Sequence, residues 1–465
     1  MVDSRDVSVV WFRRDLRLDD QPTLLAAADA APAALALFVL DPRLLEPSGP
    51  ARRTFLYGCL RELDEALGGK LLVVRGDPAE VVPRIAKAVG AATVHIAADF
   101  GPYGRERDEA VESALADDDR ELIRTGSPYA VAPGRVTKAD GDPFKVFTPF
   151  RRAWADHGWR SPADTGPGTV EWIDPADRGG GPRAVRIPDD ERVDAELPAP
   201  GEKAALQRWK EFLDDAVDDY GDARDRPDRP GTSRMSVYLK YGCIHPRTIL
   251  AGLARKRSAS AEVYRTEIAW REFYADVLHQ RPDSARKNYD RSFDALPVAS
   301  GKDAEEKFDA WREGRTGFPI VDAGMRQLRT QAWVHNRVRM IVASFLVKDL
   351  HLPWWWGARH FMQLLVDGDL ASNQHGWQWT AGSGTDASPY FRIFNPITQG
   401  ERFDPDGDYV RRFVPELAGI AGKQVHQPWK LEGGVPQGYP EPIVDHKEER
   451  EEALARYERV KAARR

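Results

Sequence analysis

A chain of 465 residues, 42% hydrophobic and 30% charged, is too long for one compact core and calls for two or more domains of roughly 100 to 200 residues each. Its formal net charge of −6 carries no global nucleic-acid signature, although local basic stripes survive under a mildly acidic average. Two cysteines, Cys59 and Cys243, and an opening Val2–Asp6 stretch without the apolar core of a signal peptide predict a reducing, cytoplasmic setting, and no run approaches the roughly 20 apolar residues of a membrane span.

Short aliphatic and β-branched runs at Val7–Phe12, Ala34–Leu40, Leu71–Arg75 and Thr93–Ala97 read as strands separated by amphipathic stretches. Runs apolar on both faces predict a parallel sheet covered by helices on both sides, a Rossmann-like α/β domain over residues 1–130. Directly after the first run, Arg13-Arg14-Asp15-Leu16-Arg17 reads either as a phosphate contact or as a salt-bridged turn, because it lacks the glycines of a phosphate-cradling loop. Residues 131–200 read as an interdomain connection, dense in Pro, Gly and Asp from Ser161 to Pro200. From 201 to 465 the pattern is helical, for example Lys203–Tyr220, Ala261–Gln280, Ile320–Thr330 and Val334–Leu350, with Glu448–Arg465 as a solvated surface helix. Ten of the 14 tryptophans lie in this all-α part, which concentrates indoles where a flat ligand would be held.

Four stretches carry polar and aromatic groups that packing alone rarely asks for. Gly231-Thr232-Ser233-Arg234-Met235-Ser236 sits at a helix start and reads either as an anion site or as an ordinary N-cap. Glu267 and Trp270 are side by side on one helix, a surface ion pair or a carboxylate beside a base-stacking ring. Trp333-Val334-His335-Asn336-Arg337-Val338-Arg339-Met340 is expected to place Trp333, Arg337 and Met340 on one face, and Asn336 with Arg339 on the next. Such a rim suits bases and phosphates, or a half-exposed helix with stem-packed arginines. No second His or Cys stands at metal-ligand spacing from His335, so no metal is expected. Asp367 to Trp379 combines two carboxylates, the amide of Asn373, Trp377 and Trp379, either a Trp-rich core helix with a capping loop or a site for a flat conjugated ligand, and Trp354-Trp355-Trp356 reads as a packing wedge that with Trp377 also offers spacing suited to electron hopping.

These motifs, with Trp11–Arg17, Gly317–Ala323 and Phe391–Pro396, occur in an order that resembles the photolyase/cryptochrome family, and most closely the class I cyclobutane pyrimidine dimer photolyases. The resemblance implies an N-terminal antenna domain and a C-terminal domain holding FAD. By position it assigns FAD to Tyr220, Thr232, Ser233, Arg234, Met235, Ser236, Trp333, Arg339, Asp367, Gly368, Asp369 and Asn373. Glu267, Asn373, Trp270 and Met340 are the implied catalytic residues. Damaged DNA falls to Arg224, Glu267, Trp270, Asn336, Arg337, Met340, Trp379, Arg392 and Gln399. Trp377 and Trp354 match electron-transfer positions; the outermost partner is missing, so either Trp355, Trp356 or a nearby Tyr is the expected substitute or photoreduction is slow. Phe38, Arg52, Cys59, Asp99 and Lys240 match relatives that bind 8-hydroxy-5-deazaflavin as a second chromophore, the alternative being methenyltetrahydrofolate. The implied function is light-dependent splitting of cyclobutane pyrimidine dimers in UV-damaged DNA by a monomeric carbon-carbon lyase; Asn373 distinguishes it from a blue-light receptor, the main rival. An electron-transfer or ATP-binding flavoprotein lacks the glycine-rich loop it would need.

Overall fold

The computed structural model describes residues 7–177, 183–386 and 391–463; the Val2–Asp6 opening and the last two residues of the expected C-terminal helix lie outside them. Strands β1 (Val7–Phe12), β2 (Ala33–Leu40), β3 (Leu71–Arg75), β4 (Thr93–Ile96) and β5 (Glu121–Arg124) form a parallel sheet in the order β3-β2-β1-β4-β5. Every residue of β1 is buried, the consequence of helices on both faces. The chain order reverses between β1 and β4, which opens a crevice beyond their C-terminal ends, where doubly wound sheets bind ligands.

The sequence reading did not find two edge elements. Glu121–Arg124 offers only two apolar residues between charged ends, and β6 (Glu171–Trp172), two residues long, leaves the connection to pair with β2. The connection therefore returns to the sheet it was expected to leave.

Beyond Gly201 the described residues are helical, and none of those helices is long and apolar enough to cross a membrane. The expected Lys203–Tyr220 helix is Gly201–Asp215, followed by a 3-10 turn and a short Tyr220–Ala223 helix. The expected Val334–Leu350 helix begins only at Asn336, where His335 caps it by accepting from the Arg337 N–H at 3.2 Å. Trp333 therefore precedes the helix and does not share its face with Arg337 and Met340. After Ser344 the same helix widens into one π turn, Phe345–Asp349, a feature that often marks functional positions.

The two parts share apolar packing. One cluster of buried side chains runs from Val10, Phe12 and Phe38 of the sheet to Trp209, Tyr238, Ile268 and Phe273 of the helices. The Arg13–Arg17 turn adds a polar seam. Arg13 pairs with Asp108 at 2.7 Å, Arg14 with Asp369 at 2.9 Å, and the Leu16 N–H donates to the Tyr241 carbonyl at 3.1 Å. Those arginines are committed to salt bridges, the structural of the two readings of that turn.

Candidate cofactor and DNA-lesion site

The helix Leu370–Ala381 organises the site. Asp369 caps it, its carboxylate accepting from the Ser372 N–H at 3.0 Å, while Asp367 accepts from Arg339 at 3.1 and 2.8 Å. Burial raises the Asp369 carboxyl, but Arg14, Lys240 and Arg271 outweigh it and hold the group ionised. Asn373, one turn in, donates to the Ala358 carbonyl at 3.1 Å. Gly376 follows, and a Cβ there would meet nothing within 4 Å. A mid-helix glycine lacking both steric need and packing leaves a recess between Asn373 and Trp379. On the other side His375 and Gln378 are structural, bonded to the Ser284 hydroxyl at 2.9 Å and the Ser284 carbonyl at 2.7 Å.

Glu267 and Trp270 project from the helix Ala259–Gln280. Burial pushes the Glu267 carboxyl up, opposed by the Arg224 guanidinium 2.7 Å away. Arg224 also lies 5.6 Å over the buried ring of Tyr220. Phe147 stacks on Trp270 at 3.6 Å with planes 9° apart, fixing the indole from one face. Along the neighbouring helix Asn336 is exposed and Met340 half-buried. Arg337 pairs bidentately with Asp225 at 3.2 and 2.8 Å.

The Gly231–Ser236 loop does not cap its helix as the N-cap reading supposed. The helix is Met235–Tyr241, its cap position is Arg234 in a left-handed conformation, and no side chain caps it. Ser233 instead meets the Tyr264 hydroxyl at 2.7 Å and accepts from the Met235 N–H at 3.2 Å. Arg208 donates to the Ser233 carbonyl at 2.5 Å, and Arg234 lies 4.4 Å over the Trp333 ring. Thr232 is half-buried and Ser236 exposed. Hydroxyls ringed by guanidiniums are the donor set a pyrophosphate requires, and with the Gly376 recess they fit a flavin dinucleotide. Arg208, Asp225 and Phe147 were absent from the sequence reading; each meets its partner across a long stretch of chain and leaves no local pattern.

Trp377 is buried, with Phe361 at 5.1 Å and Trp311 at 6.1 Å. Trp354 donates to Asn288 at 2.9 Å and meets Trp355 edge-on at 6.0 Å; Trp355 is 39% exposed, whereas Trp356 packs on Phe308.

A cavity of 1590 Å³ occupies the crevice between the sheet and the helices. Phe38, Arg52, Asp99, Lys240, Gly368 and Asp369 line it, and its far arm reaches Trp354 and Trp355. Cys59 does not line it; its thiol faces Cys243 at 3.6 Å in the buried interior. Burial, helped by Arg14, lowers Lys240 to about 7, while Arg14 and Arg107 overcome the burial of Asp99 and lower it to about 2. A second cavity of 520 Å³ is lined by Trp379, Arg281, Lys348 and exposed Arg392. Gln399 lies outside both, half-buried on the helix Pro396–Phe403.

Residues 264–459 match the FAD binding domain of DNA photolyase, and residues 8–167 match the DNA photolyase domain. The deoxyribodipyrimidine photo-lyase of Streptomyces griseus is 42% identical over 98% of this chain and 99% of its own. A bacterial class III photolyase from Agrobacterium tumefaciens superposes with a TM-score of 0.90 at 38% identity, covering 98% of each chain. An archaeal photolyase from Sulfolobus tokodaii, described with two FAD molecules, does so at 0.84 and 29%, covering 97% of this chain and 99% of that one. The chain belongs to the photolyase/cryptochrome family.

Proposed function

We propose that this chain repairs UV-damaged DNA by splitting cyclobutane pyrimidine dimers in light, with FAD as its cofactor. Light-dependent DNA repair by a deoxyribodipyrimidine photo-lyase reaction is the function of this enzyme, carried by the near-complete match of both parts of the chain to such a photo-lyase. The chemistry FAD supplies when bound is light-driven transfer of an electron that returns at the end, so splitting involves no net redox change.

The chain's own groups do the rest. Tyr220, the Thr232–Ser236 loop, Trp333, Arg339, Asp367, Gly368, Asp369 and Asn373 hold the dinucleotide, the loop hydroxyls and nearby arginines taking its phosphates. The dimer is flipped out of the duplex at a cost of a few kcal/mol, least where damage has weakened pairing. Trp270 and Trp379 pack on its apolar ring, and Asn336 and Met340 complete the pocket. Glu267, its carboxyl pushed up by burial against the opposing Arg224 guanidinium, hydrogen-bonds the pyrimidine edge where negative charge develops. Arg224, Arg337, Arg392 and Gln399 grip the flanking phosphates, which makes binding salt-sensitive. Trp377 and Trp354 would carry photoreducing electrons to the cofactor, and exposed Trp355, edge-on to Trp354, is where a reductant in solution would supply them. The chain acts as a monomer, with boundaries near residues 130 and 200.

The class I reading rests on Asn373 with Glu267, Trp270 and Met340; the 0.90 match to a class III enzyme favours a second subtype. The arginines and Lys240 of the 1590 Å³ cavity suit the ionisable ring hydroxyl of 8-hydroxy-5-deazaflavin. A Cβ at Gly104 would lie 2.2 Å from the Asp99 carboxyl carbon, so the glutamate that folate-binding relatives carry there has no room. Reconstitution with each chromophore decides: uptake of methenyltetrahydrofolate alone refutes the deazaflavin assignment. For the reaction itself, the reduced protein is illuminated with dimer-containing and with (6-4)-containing oligonucleotides. Restoration of the dimer substrate is expected; repair of the (6-4) substrate alone, or of neither by flavin-loaded protein, overturns the proposal.

A further inference from the structure

Lys348 lies in the π turn Phe345–Asp349 and is buried among apolar neighbours. Burial lowers its ammonium to about 7, a penalty that Leu or Met at this place would not incur. Its acidic neighbour does not bond it: Asp349 accepts from His446 at 2.5 Å through one oxygen, and its other oxygen is buried without a hydrogen-bond partner. The Lys348 ammonium instead donates to the Arg392 carbonyl and sits 4.2 Å from the centre of the Phe391 ring. One turn earlier, the Ser344 hydroxyl accepts from the Phe394 N–H at 3.2 Å. The other face of this segment is held too: Phe391 stacks on Tyr457 of the C-terminal helix at 4.4 Å, planes 7° apart.

An extra residue in a helical turn re-aims the side chains that follow it. Here the widened turn directs a cation toward a backbone carbonyl four residues before the helix Pro396–Phe403. The segment so gripped carries Arg392, whose side chain is exposed beside Trp379 at the rim of the 520 Å³ cavity.

We propose that Lys348, assisted by Ser344, is a positioning residue that fixes the Phe391–Arg392 backbone so that the Arg392 guanidinium stands at the lesion mouth. This rests on the reading of Arg392 as a DNA-phosphate contact. Lys348 acts through a carbonyl and an aromatic ring, and the electrostatic grip on DNA depends on it only through Arg392.

The test uses the FAD-loaded full chain and a dimer-containing duplex at several salt concentrations, with Lys348→Met, Arg392→Ala and the double variant. Lys348→Met is expected to raise the DNA concentration for half-maximal repair about tenfold, as for one lost phosphate contact, and to flatten the salt slope by about 1. The repair rate at saturating DNA falls less than twofold. Because both changes act on one contact, the double variant binds no worse than Arg392→Ala. Wild-type binding and salt slope in Lys348→Met, with Arg392→Ala weakened, overturn the inference alone; effects that add in the double variant do the same. Wild-type binding in both single variants overturns it together with the DNA role of Arg392. Weak binding in Lys348→Met with normal binding in Arg392→Ala retains the grip on the segment and removes Arg392 as its beneficiary. Should Lys348→Met fail to fold, Ser344→Ala must weaken binding in the same salt-dependent way, and its wild-type behaviour overturns the inference.

Discussion

Gly357 stands where the helix Trp354–Leu364 crosses Leu370–Ala381, and a Cβ there would lie 2.1 Å from one carbon of the Trp377 ring and 2.6 to 2.7 Å from two others. Ordinary contact begins at 3.4 Å, so in Gly357→Ala the ring must retreat by about 1.3 Å. It has nowhere soft to go, since Phe361 and Trp311 close on it and it is 3% exposed. Overpacking of this kind costs about 1 to 3 kcal/mol, while replacing a mid-helix glycine by alanine returns about 0.5 to 1 kcal/mol. The net loss is about 1 kcal/mol. A thermal melt would barely register it, because a chain of this length unfolds with an entropy that turns 1 kcal/mol into a shift of about 1 °C. The sensitive assay is photoreduction of the loaded flavin under steady blue light, with denaturant midpoints alongside. Gly357→Ala is expected to keep its FAD and to photoreduce several-fold more slowly, approaching Trp377→Phe. A variant that photoreduces at the wild-type rate and gains the full helix-propensity term would refute the reasoning, since Trp377 would then have room the packing denies it.

Glu267→Ala is expected to impair dimer splitting more than FAD retention, read as repair per absorbed photon against flavin content; equal losses in both would make Glu267 a structural residue. Arg337→Ala should weaken DNA binding and lower the salt slope by about 1. Asp225→Asn should do the reverse, because it releases Arg337 from its 2.8 Å ion pair; salt titrations of both variants check this. Lys240 titrates near 7 in the folded chain against about 10.4 when unfolded. Its folded value is depressed, so between those limits the unfolded chain holds the extra proton, and the stability Lys240 withholds returns as pH rises from about 7 to 10. The slope is at most about 1.4 kcal/mol per pH unit, and less because the side chain keeps some solvent contact. Lys240→Met should therefore exceed the wild type in urea midpoint most at pH 7 and progressively less toward pH 9; a constant gap would show that Lys240 does not lose its proton on folding.

Val7–Phe12 and Leu71–Arg75 are strands with the boundaries the sequence predicts, because strands buried on both faces must be apolar at nearly every position and local composition then reports burial directly. That logic fails at β5 and β6, whose few residues sit at sheet edges and carry charge. It fails again at His335, since a histidine that caps a helix and one inside it look alike along the chain. Only the hydrogen bond to Arg337 decides, and the decision moves Trp333 off the helix that was to carry it.

The partners of the candidate site residues were not legible in the sequence. The motif Asp367-Gly368-Asp369 reads as two equivalent carboxylates, yet Asp367 spends its charge on Arg339 within the helical part, and Asp369 on Arg14 from the sheet and on the cap of the helix bearing Asn373. Asp369 therefore ties the crevice, where Arg14 also approaches Asp99 at 3.7 Å, to the first turn of that helix. Glu267 depends in the same way on Arg224, and Trp270 on Phe147 from the connection. In each case sequence spacing singles out the candidate group, because such groups lie close together within one helix or at its cap. The group that sets its charge or orientation arrives from another element, so it leaves no periodic trace and emerges only when the elements are packed together.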